Sequence, residues 1–461
     1  MLKNFILNTD SYKASHYAQY PKDTLYVSSY IESRGGKFDN LLFFGLQIFL
    51  KKYLSNPISN KDIKQAEYIF KTHGLPFHKD GWKYILDKYN GYLPLEISAV
   101  KEGTVLPTNN VLLQVINTDP KCFWLTSYIE TALLRAIWYP TTVATVSFHC
   151  KKIIKSFLEE TADSIDSLAF KLHDFGARGV SSLESAAIGG VAHMVNFMGS
   201  DTISGICAAN EYYNEPMAAY SIPAAEHSTI ITWGKENELQ AYKNMLDQFS
   251  GKNKLVAIVS DSYDLWNAIE NIWCGKLYEK VKNNGGTIVI RPDSGDPVHV
   301  VCTVIEKLMN KFGYITNQKG YKVLPDFIRI IQGDGICLEV INKILVEMKR
   351  LKFSAENITF GMGGALLQQV NRDTLKFAMK VSAIKIKDKW HKVNKEPITD
   401  LGKKSKAGRL ALIKKNDKFK TIDIDNLNNN ENYLIPVFKN GKILSDLEFK
   451  NIRSESELYL I

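Results

Sequence analysis

Leu255-Val256-Ala257-Ile258-Val259, followed at once by Ser260-Asp261-Ser262-Tyr263-Asp264, is the stretch on which the fold turns. Unbroken apolar, β-branched runs are strands buried on both faces, as in a parallel sheet. The polar residues after such a strand lie where βα barrels place their chemistry. The pattern recurs: Thr287-Ile288-Val289-Ile290 runs into Arg291-Pro292-Asp293-Ser294-Gly295-Asp296, and Phe327-Ile328-Arg329-Ile330-Ile331 into Gln332-Gly333-Asp334-Gly335. Ile358-Thr359-Phe360 runs into Gly361-Met362-Gly363-Gly364, which is expected to open an apolar helix. Upstream, a strand over Phe170 to Asp174 leads to Phe175-Gly176-Ala177-Arg178-Gly179, and one over Ala219 to Ile222 leads to Pro223-Ala224-Ala225-Glu226-His227. The later units start about 30 to 40 residues apart, the size of a βα unit with its return connection. The fold expected is α/β, with a central barrel of parallel strands.

Outside that region the pattern changes. Leu25-Tyr26-Val27-Ser28-Ser29-Tyr30-Ile31 and Ala383-Ile384-Lys385-Ile386-Lys387 alternate as half-exposed antiparallel strands do. They predict an α+β domain built from both chain ends: residues 1–150 its N-terminal part, 151–384 the barrel, 385–461 its C-terminal part. Asp425 to Asn432 reads as an exposed loop.

The chain has 461 residues, 45% of them hydrophobic, which excludes a disordered tail, a disulfide miniprotein and a collagen-like rod. Its longest runs without Asp, Glu, Lys or Arg, Gly103 to Thr118 and Ser185 to Ser200, contain Asn and are too short for a bilayer span. Met1 to Asn8 offers only Phe5-Ile6-Leu7 as an apolar core, too little for a signal peptide. Six scattered cysteines without a CxxC read as reduced, packed thiols, and the expected compartment is the cytoplasm. The net charge of +9 invites a nucleic-acid reading, but it is local: Lys376 to Lys420 holds 15 Lys/Arg against 4 Asp/Glu, leaving the rest at −2. Only Trp390 and Phe419 offer stacking surfaces there, so nucleic-acid binding is the weaker alternative.

Gly361-Met362-Gly363-Gly364 fits a phosphate turn, in which backbone N–H groups point outward and glycine lets the anion approach; Arg372 further on would add a bidentate cation. Asp261, Asp293 and Asp334 each follow a separate strand, so a barrel gathers three carboxylates at one rim. They call for Mg²⁺ held largely through substrate phosphates, or for ribose hydroxyls; helix capping is the plain alternative, above all at Ser260-Asp261-Ser262. Arg178, Arg291 and His227 add cationic or protonatable groups, and the set describes a site for a phosphorylated sugar with a metal. His227 lacks the context of a nucleophile triad, while His173 and His193 read as structural.

Asp10-Ser11-Tyr12-Lys13 with His16-Tyr17 and Gln19-Tyr20-Pro21, Lys171-Leu172-His173-Asp174-Phe175-Gly176, and Arg178-Gly179-Val180-Ser181-Ser182 resemble blocks of the nicotinamide phosphoribosyltransferase family. So do Pro223 to Thr229, Val259 to Asp264, Ile290 to Gly295 and Ile331 to Gly335, in order, and the likeness runs from Asp10 to beyond Arg409. The resemblance implies transfer of phosphoribosyl from phosphoribosyl pyrophosphate to nicotinamide, with Mg²⁺ and with ATP as co-substrate, in a homodimer whose active sites are shared between subunits. It implies that Phe175 and Tyr12 of the partner subunit stack on the pyridine ring, in a substrate site that also includes Asp10, and that Asp201 reads the carboxamide. It gives Arg178, Arg291 and His227 to the diphosphate, with Arg34, Lys380, Lys395 and Lys403 from the neighbouring subunit. Asp293, Gly333 and Asp334 go to the ribose, Asp261 beside ribose and metal, and Gly363, Gly364 and Arg372 to the 5′-phosphate. The histidine at 227 is phosphorylated by ATP in the family. Ala177 and Ala365 depart from the pattern, standing where a tyrosine and a glycine are expected. Nicotinate phosphoribosyltransferase is the nearest rival, and the charge of Asp201 argues against it.

Overall fold

A computed structural model describes residues 4–400 and 403–460; residues 1–3, the start of the N-terminal stretch read above, lie outside the described residues. Along the chain the main strands are β1 (Thr24–Ser33), β2 (Leu95–Ala99), β3 (Val111–Asn117), β4 (Leu172–Asp174), β5 (Gly199–Ser200), β6 (Leu255–Val259) and β7 (Thr287–Arg291). They continue with β8 (Ile328–Gln332), β9 (Ile358–Met362), β10 (Phe377–Ile386), β11 (Lys389–Lys392), β12 (Ile435–Lys439) and β13 (Lys442–Ile443).

The chain forms two compact units. One comprises residues 1–145, 211–215 and 370–461 and is built on an antiparallel sheet of order β11-β10-β1-β3-β2-β12-β13, so both chain ends do contribute strands to it. The expected changeover at 384 falls inside β10; that strand pairs along its whole length with β1, from Phe377 opposite Ser33 to Ile386 opposite Thr24, and so belongs entirely to this sheet. Helices Asn60–Thr72 and Lys79–Tyr89 complete its α+β character, the first started by a capping box in which Ser59 and Asp62 satisfy each other's backbone N–H.

The other unit, residues 146–210 and 216–369, is a six-stranded parallel half-barrel of order β5-β4-β9-β8-β7-β6. Val256–Val259, Ile288–Ile290 and Ile330–Gln332 are buried, as two-sided packing against sheet and helices requires. Helices Pro297–Phe312 and Leu338–Arg350 supply return connections. The strand expected at Ala219 to Ile222 is not regular. Tyr220 bridges Gly199 of β5 and Ala224 bridges Ala257 of β6, so this short segment touches both edges of the sheet. Pro223, between the bridges, has no N–H to continue a ladder. The helix expected after Gly361-Met362-Gly363-Gly364 is a single turn, Gly364–Leu367; Asn371 then caps a new turn by accepting from the N–H groups of Asp373 and Thr374.

Candidate active site

The loops that follow β6 and β7 join the start of helix His227–Ile231 in one charged network. His227 Nε2 lies 2.9 Å from Asp261 Oδ1, and Nδ1 lies 3.9 Å from Asp293 Oδ2. Asp261 Oδ2 accepts the N–H of Asp293 at 3.2 Å. Arg291 grips Asp293 with both prongs, Nε to Oδ1 at 3.2 Å and Nη2 to Oδ2 at 2.7 Å, the fork geometry of a strong charge-assisted pair. The side chain of Asp261 is 4% exposed and that of His227 44%, so the histidine is the more accessible member of that pair. Burial pushes the Asp293 carboxyl up from its ordinary value, against the pull of Arg291. Asp261 is no helix cap: Asp264 holds that post, accepting from Asn267 N–H at 3.0 Å.

Beside this network a cavity of about 540 Å³ opens within the parallel sheet. The inner faces of β6, β7 and β8 give it Ala257, Val289 and Ile331, against which Phe175 and Ile222 pack. Phe175 is fixed by backbone and ring: its N–H donates to Met362 O at 3.0 Å, and the Arg291 guanidinium stands 5.5 Å from the ring centroid. The ring lies over Gly361, where a Cβ would come within 2.0 Å of Phe175 Cε2. Asp201 lines the same cavity, its Oδ1 accepting from Ser221 Oγ and lying 3.2 Å from His173 Nε2. Burial acts to raise the Asp201 pKa, but the hydrogen bonds from His173 and Ser221, with the fields of His173 and Arg291, outweigh it and hold the carboxyl below its usual value.

His173 therefore does not have the purely structural place expected of it. Side chains alternate along a strand, so His173 and Phe175 face the same way, and a period-two reading from Phe175 would have found it. Ser221 was missed for want of any local signal, and Ala177 also lines the cavity. His193 is fully buried, 3.0 Å from Ser147 Oγ.

Other expected residues are less tightly gathered. Arg178 is 78% exposed, with Nη1 3.6 Å from Glu226 Oε2. Asp334 is exposed, and among the described residues its carboxylate joins neither Asp261 nor Asp293. Gly333 sits close beneath the network, a Cβ there lying 3.3 Å from Asp293 Oδ1, whereas Gly363 starts the turn Gly364–Leu367 and Gly364 has open space around it. Arg372 belongs to the other unit, 3.5 Å from Asp373 Oδ1. That unit holds the second group of cations. Arg34 Nε donates to Glu32 Oε1 at 2.9 Å, Lys406 Nζ meets the other oxygen of Glu32, and Arg34 Nη2 is buried with no hydrogen-bond partner among the described residues. Burial holds Lys380 below the usual ammonium value, with Arg34, Lys395 and Lys13 adding to the effect and Glu130 opposing it. Lys403 pairs with Asp400 at 3.1 Å, Asp10 Oδ2 accepts from Thr131 Oγ1 at 2.6 Å, and Tyr12 is 57% exposed. Trp390 lies under the Arg409 guanidinium and Phe419 is buried against Tyr433, so both aromatics of the basic stretch are taken up in packing.

Among the described residues no helix is long and apolar enough to cross a membrane, and no three His, Cys, Asp or Glu side chains form a ready-made metal cluster. Residues 170–442 match the family model described as the nicotinate phosphoribosyltransferase (NAPRTase) family, and residues 4–97 match the one described as nicotinamide phosphoribosyltransferase, N-terminal domain. The chain is 49% identical over 463 residues to the nicotinamide phosphoribosyltransferase of Xanthomonas campestris pv. campestris, covering 99% of this chain and 98% of that one. It is 32% identical to that of Acinetobacter baylyi, covering 96% and 95%. The crystal structure of nicotinate-nucleotide pyrophosphorylase from Pyrococcus furiosus is similar in fold, with a TM-score of 0.65 at 16% identity over 99% of this chain and 95% of that one.

Proposed function

The chain belongs to the nicotinamide phosphoribosyltransferase family, and from that premise we propose how its residues carry the reaction. It is a pentosyltransferase of NAD salvage, joining nicotinamide to the ribose of phosphoribosyl pyrophosphate to give nicotinamide mononucleotide and diphosphate. The observation that carries the site reading is Asp201. Its Oδ1 is occupied by His173 and Ser221, which leaves Oδ2 for the NH₂ of a carboxamide in a cavity whose apolar wall and Phe175 suit a pyridine ring. A carboxylate held ionised there repels nicotinate, so charge and hydrogen bonding discriminate together.

With the ring stacked on Phe175, and on Tyr12 of the partner subunit in a cytoplasmic homodimer, the pyridine nitrogen attacks the anomeric carbon with its own lone pair. The new C–N bond forms as the C–O bond to diphosphate breaks, and the electron pair leaves with the diphosphate. No general base takes part. The chain contributes position and charge: Arg178 and Arg291 on the leaving group, Asp293, Gly333 and Asp334 at the ribose, Gly363, Gly364 and Arg372 at the 5′-phosphate, and Arg34, Lys380, Lys395 and Lys403 reaching the diphosphate from the neighbouring subunit. Mg²⁺ is a hard ion that takes carboxylate and phosphate oxygens; Asp261 and Asp293 would hold it together with the diphosphate, and when bound it would neutralise charge on the leaving group. His227 accepts the phosphoryl group of ATP. With Nε2–H donated to Asp261, Nδ1 keeps the lone pair that attacks phosphorus, and ADP departs.

The test is incubation with phosphoribosyl pyrophosphate, Mg²⁺ and either nicotinamide or nicotinate, with and without ATP, followed by identification of the mononucleotide. Product from nicotinamide, raised by ATP, is expected; nicotinate as the better acceptor would overturn the assignment of Asp201.

A further inference from the structure

One buried carboxylate in this unit has no part in the scheme above. Asp174, the last residue of β4, is fully buried and lies between the two loops that carry Phe175 and Asp201. Its Oδ1 accepts the N–H of Gly176 at 2.7 Å, fixing the residue after Phe175. Residue 176 suits this only as glycine, because a Cβ there would stand 3.0 Å from Asp174 Oδ1 and 2.6 Å from Leu367 Cγ. On the other side Asp201 is bracketed. Its own N–H donates to the Asp174 backbone oxygen at 3.0 Å, and the N–H of Thr202 donates at 3.0 Å to Ser200 Oγ, which in turn donates to Asp174 Oδ2 at 3.4 Å. Ser200 is itself 1% exposed, so water does not compete for this relay.

We propose that Asp174 is a positioning residue that sets the ring-stacking Phe175 and the carboxamide-reading Asp201 in register with each other. The inference rests on the reading of Asp201 given above. A charge-assisted acceptor is the strong way to hold two loops at one point, and a small loss of alignment at a site of this kind is felt in substrate affinity before anything else. Burial pushes the Asp174 carboxyl above its ordinary value against the hydrogen bonds it accepts. A group of raised pKa contributes stability below its unfolded value and loses it as pH rises through the folded one, so the charged form is a cost to the fold at neutral pH.

The variants Asp174→Asn and Ser200→Ala, each in the full-length enzyme, separate positioning from mere support. Asp174→Asn keeps shape and the acceptor for Gly176 but loses the second acceptor. The expected result is a melting temperature equal to or above that of the parent, a KM for nicotinamide raised about fivefold, a nicotinamide-over-nicotinate ratio lowered to a similar degree, and kcat within about twofold, the scale of one weakened hydrogen bond to a charged group. Ser200→Ala, which removes only the relay, shifts the same two readouts in the same direction. Folded variants with unchanged KM and unchanged ratio overturn the proposal, and if one variant does not fold the other decides. Asp201→Ser assayed alongside keeps the two readings apart: a ratio insensitive to Asp201→Ser refutes the role of Asp201, whereas a ratio sensitive to it but not to Asp174→Asn and Ser200→Ala refutes the positioning role alone.

Discussion

Gly361→Ala is the smallest change that reaches the ring slot. A Cβ at that position would stand 2.0 Å from Cε2, 2.3 Å from Cδ2 and 2.9 Å from Cζ of Phe175, where ordinary contact begins at 3.4 Å. Gly361 lies within β9 and cannot retreat without breaking its pairing to His173, so the ring must withdraw, by about 1.4 Å at its nearest atom. Phe175 packs on Ala257, Val289 and Ile331 and its own N–H is tied to Met362, so the ring gives way into the cavity it lines, where the pyridine is proposed to stack. Inserting one methyl into such a place costs about 1–3 kcal/mol of stability. A displacement of about 1 Å in a substrate-positioning group can cost about a hundredfold in rate. We therefore expect kcat/KM for nicotinamide to fall between about tenfold and a hundredfold, with KM for phosphoribosyl pyrophosphate within about twofold. Steady-state formation of nicotinamide mononucleotide gives both constants, and thermal melting gives the stability. The double variant Gly361→Ala/Phe175→Leu completes a cycle in which the smaller side chain relieves the stability loss, so the two changes are not additive. A Gly361→Ala enzyme with the parental KM for nicotinamide, or a stability loss that Phe175→Leu leaves in place, would refute the reasoning.

Asp201→Ser is expected to lower selectivity for nicotinamide over nicotinate by about tenfold to a hundredfold, as removal of a repelling and hydrogen-bonding carboxylate should; paired assays with the two acceptors check it. His227→Ala is expected to keep part of the transferase activity while losing stimulation by ATP, and the parent but not the variant should acquire label from γ-³²P-ATP that is stable to base and lost in acid. The pH dependence follows from Asp201. Because its folded pKa is held below the ordinary value, the carboxylate stays charged as pH falls through the neutral and mildly acid range, so selectivity should hold from about pH 8 to about pH 5. A loss of selectivity centred between those values in rapid initial-rate assays would place the controlling group elsewhere.

The parallel strands were legible because two-sided burial leaves runs such as Leu255 to Val259 with no polar interruption, and the rim residues were legible because each follows such a run. What escaped reading was governed by contacts distant in sequence. Nothing within Ala219 to Ile222 reveals that its neighbours are two different strands and that Pro223 limits the pairing, and the extent of β10 is decided by its partner β1 more than three hundred residues earlier. The convergence of Asp261, Asp293, Arg291 and His227 could be guessed from topology, but their order could not: Asp261 bonds the imidazole while Arg291 holds Asp293. Asp174 and Ser200 gave no signal at all, since a buried polar residue declares itself only through the groups that satisfy it. The role expected of Arg34, Lys380, Lys395 and Lys403 came from resemblance alone; spacing leaves them among the other cations of a basic surface.

The segment from Tyr220 to Ala225 joins the first and last strands of the sheet through two backbone hydrogen bonds at each edge, with Met198 and Ser200 on one side and Ala257 on the other, whereas β6 and β7 pair over five residues. Ser221 lies on that seam and His227 three residues past Ala224, so a thinly laced part of the sheet bears a partner of Asp201 and leads directly to the histidine proposed to take phosphate from ATP. Local opening draws on the regions with the least pairing. The amides of residues 220–222, 224 and 225 should thus exchange ahead of those in β6, and a molecule caught with this seam ajar would lose the proposed reading of the base and the proposed phosphoryl transfer in a single event.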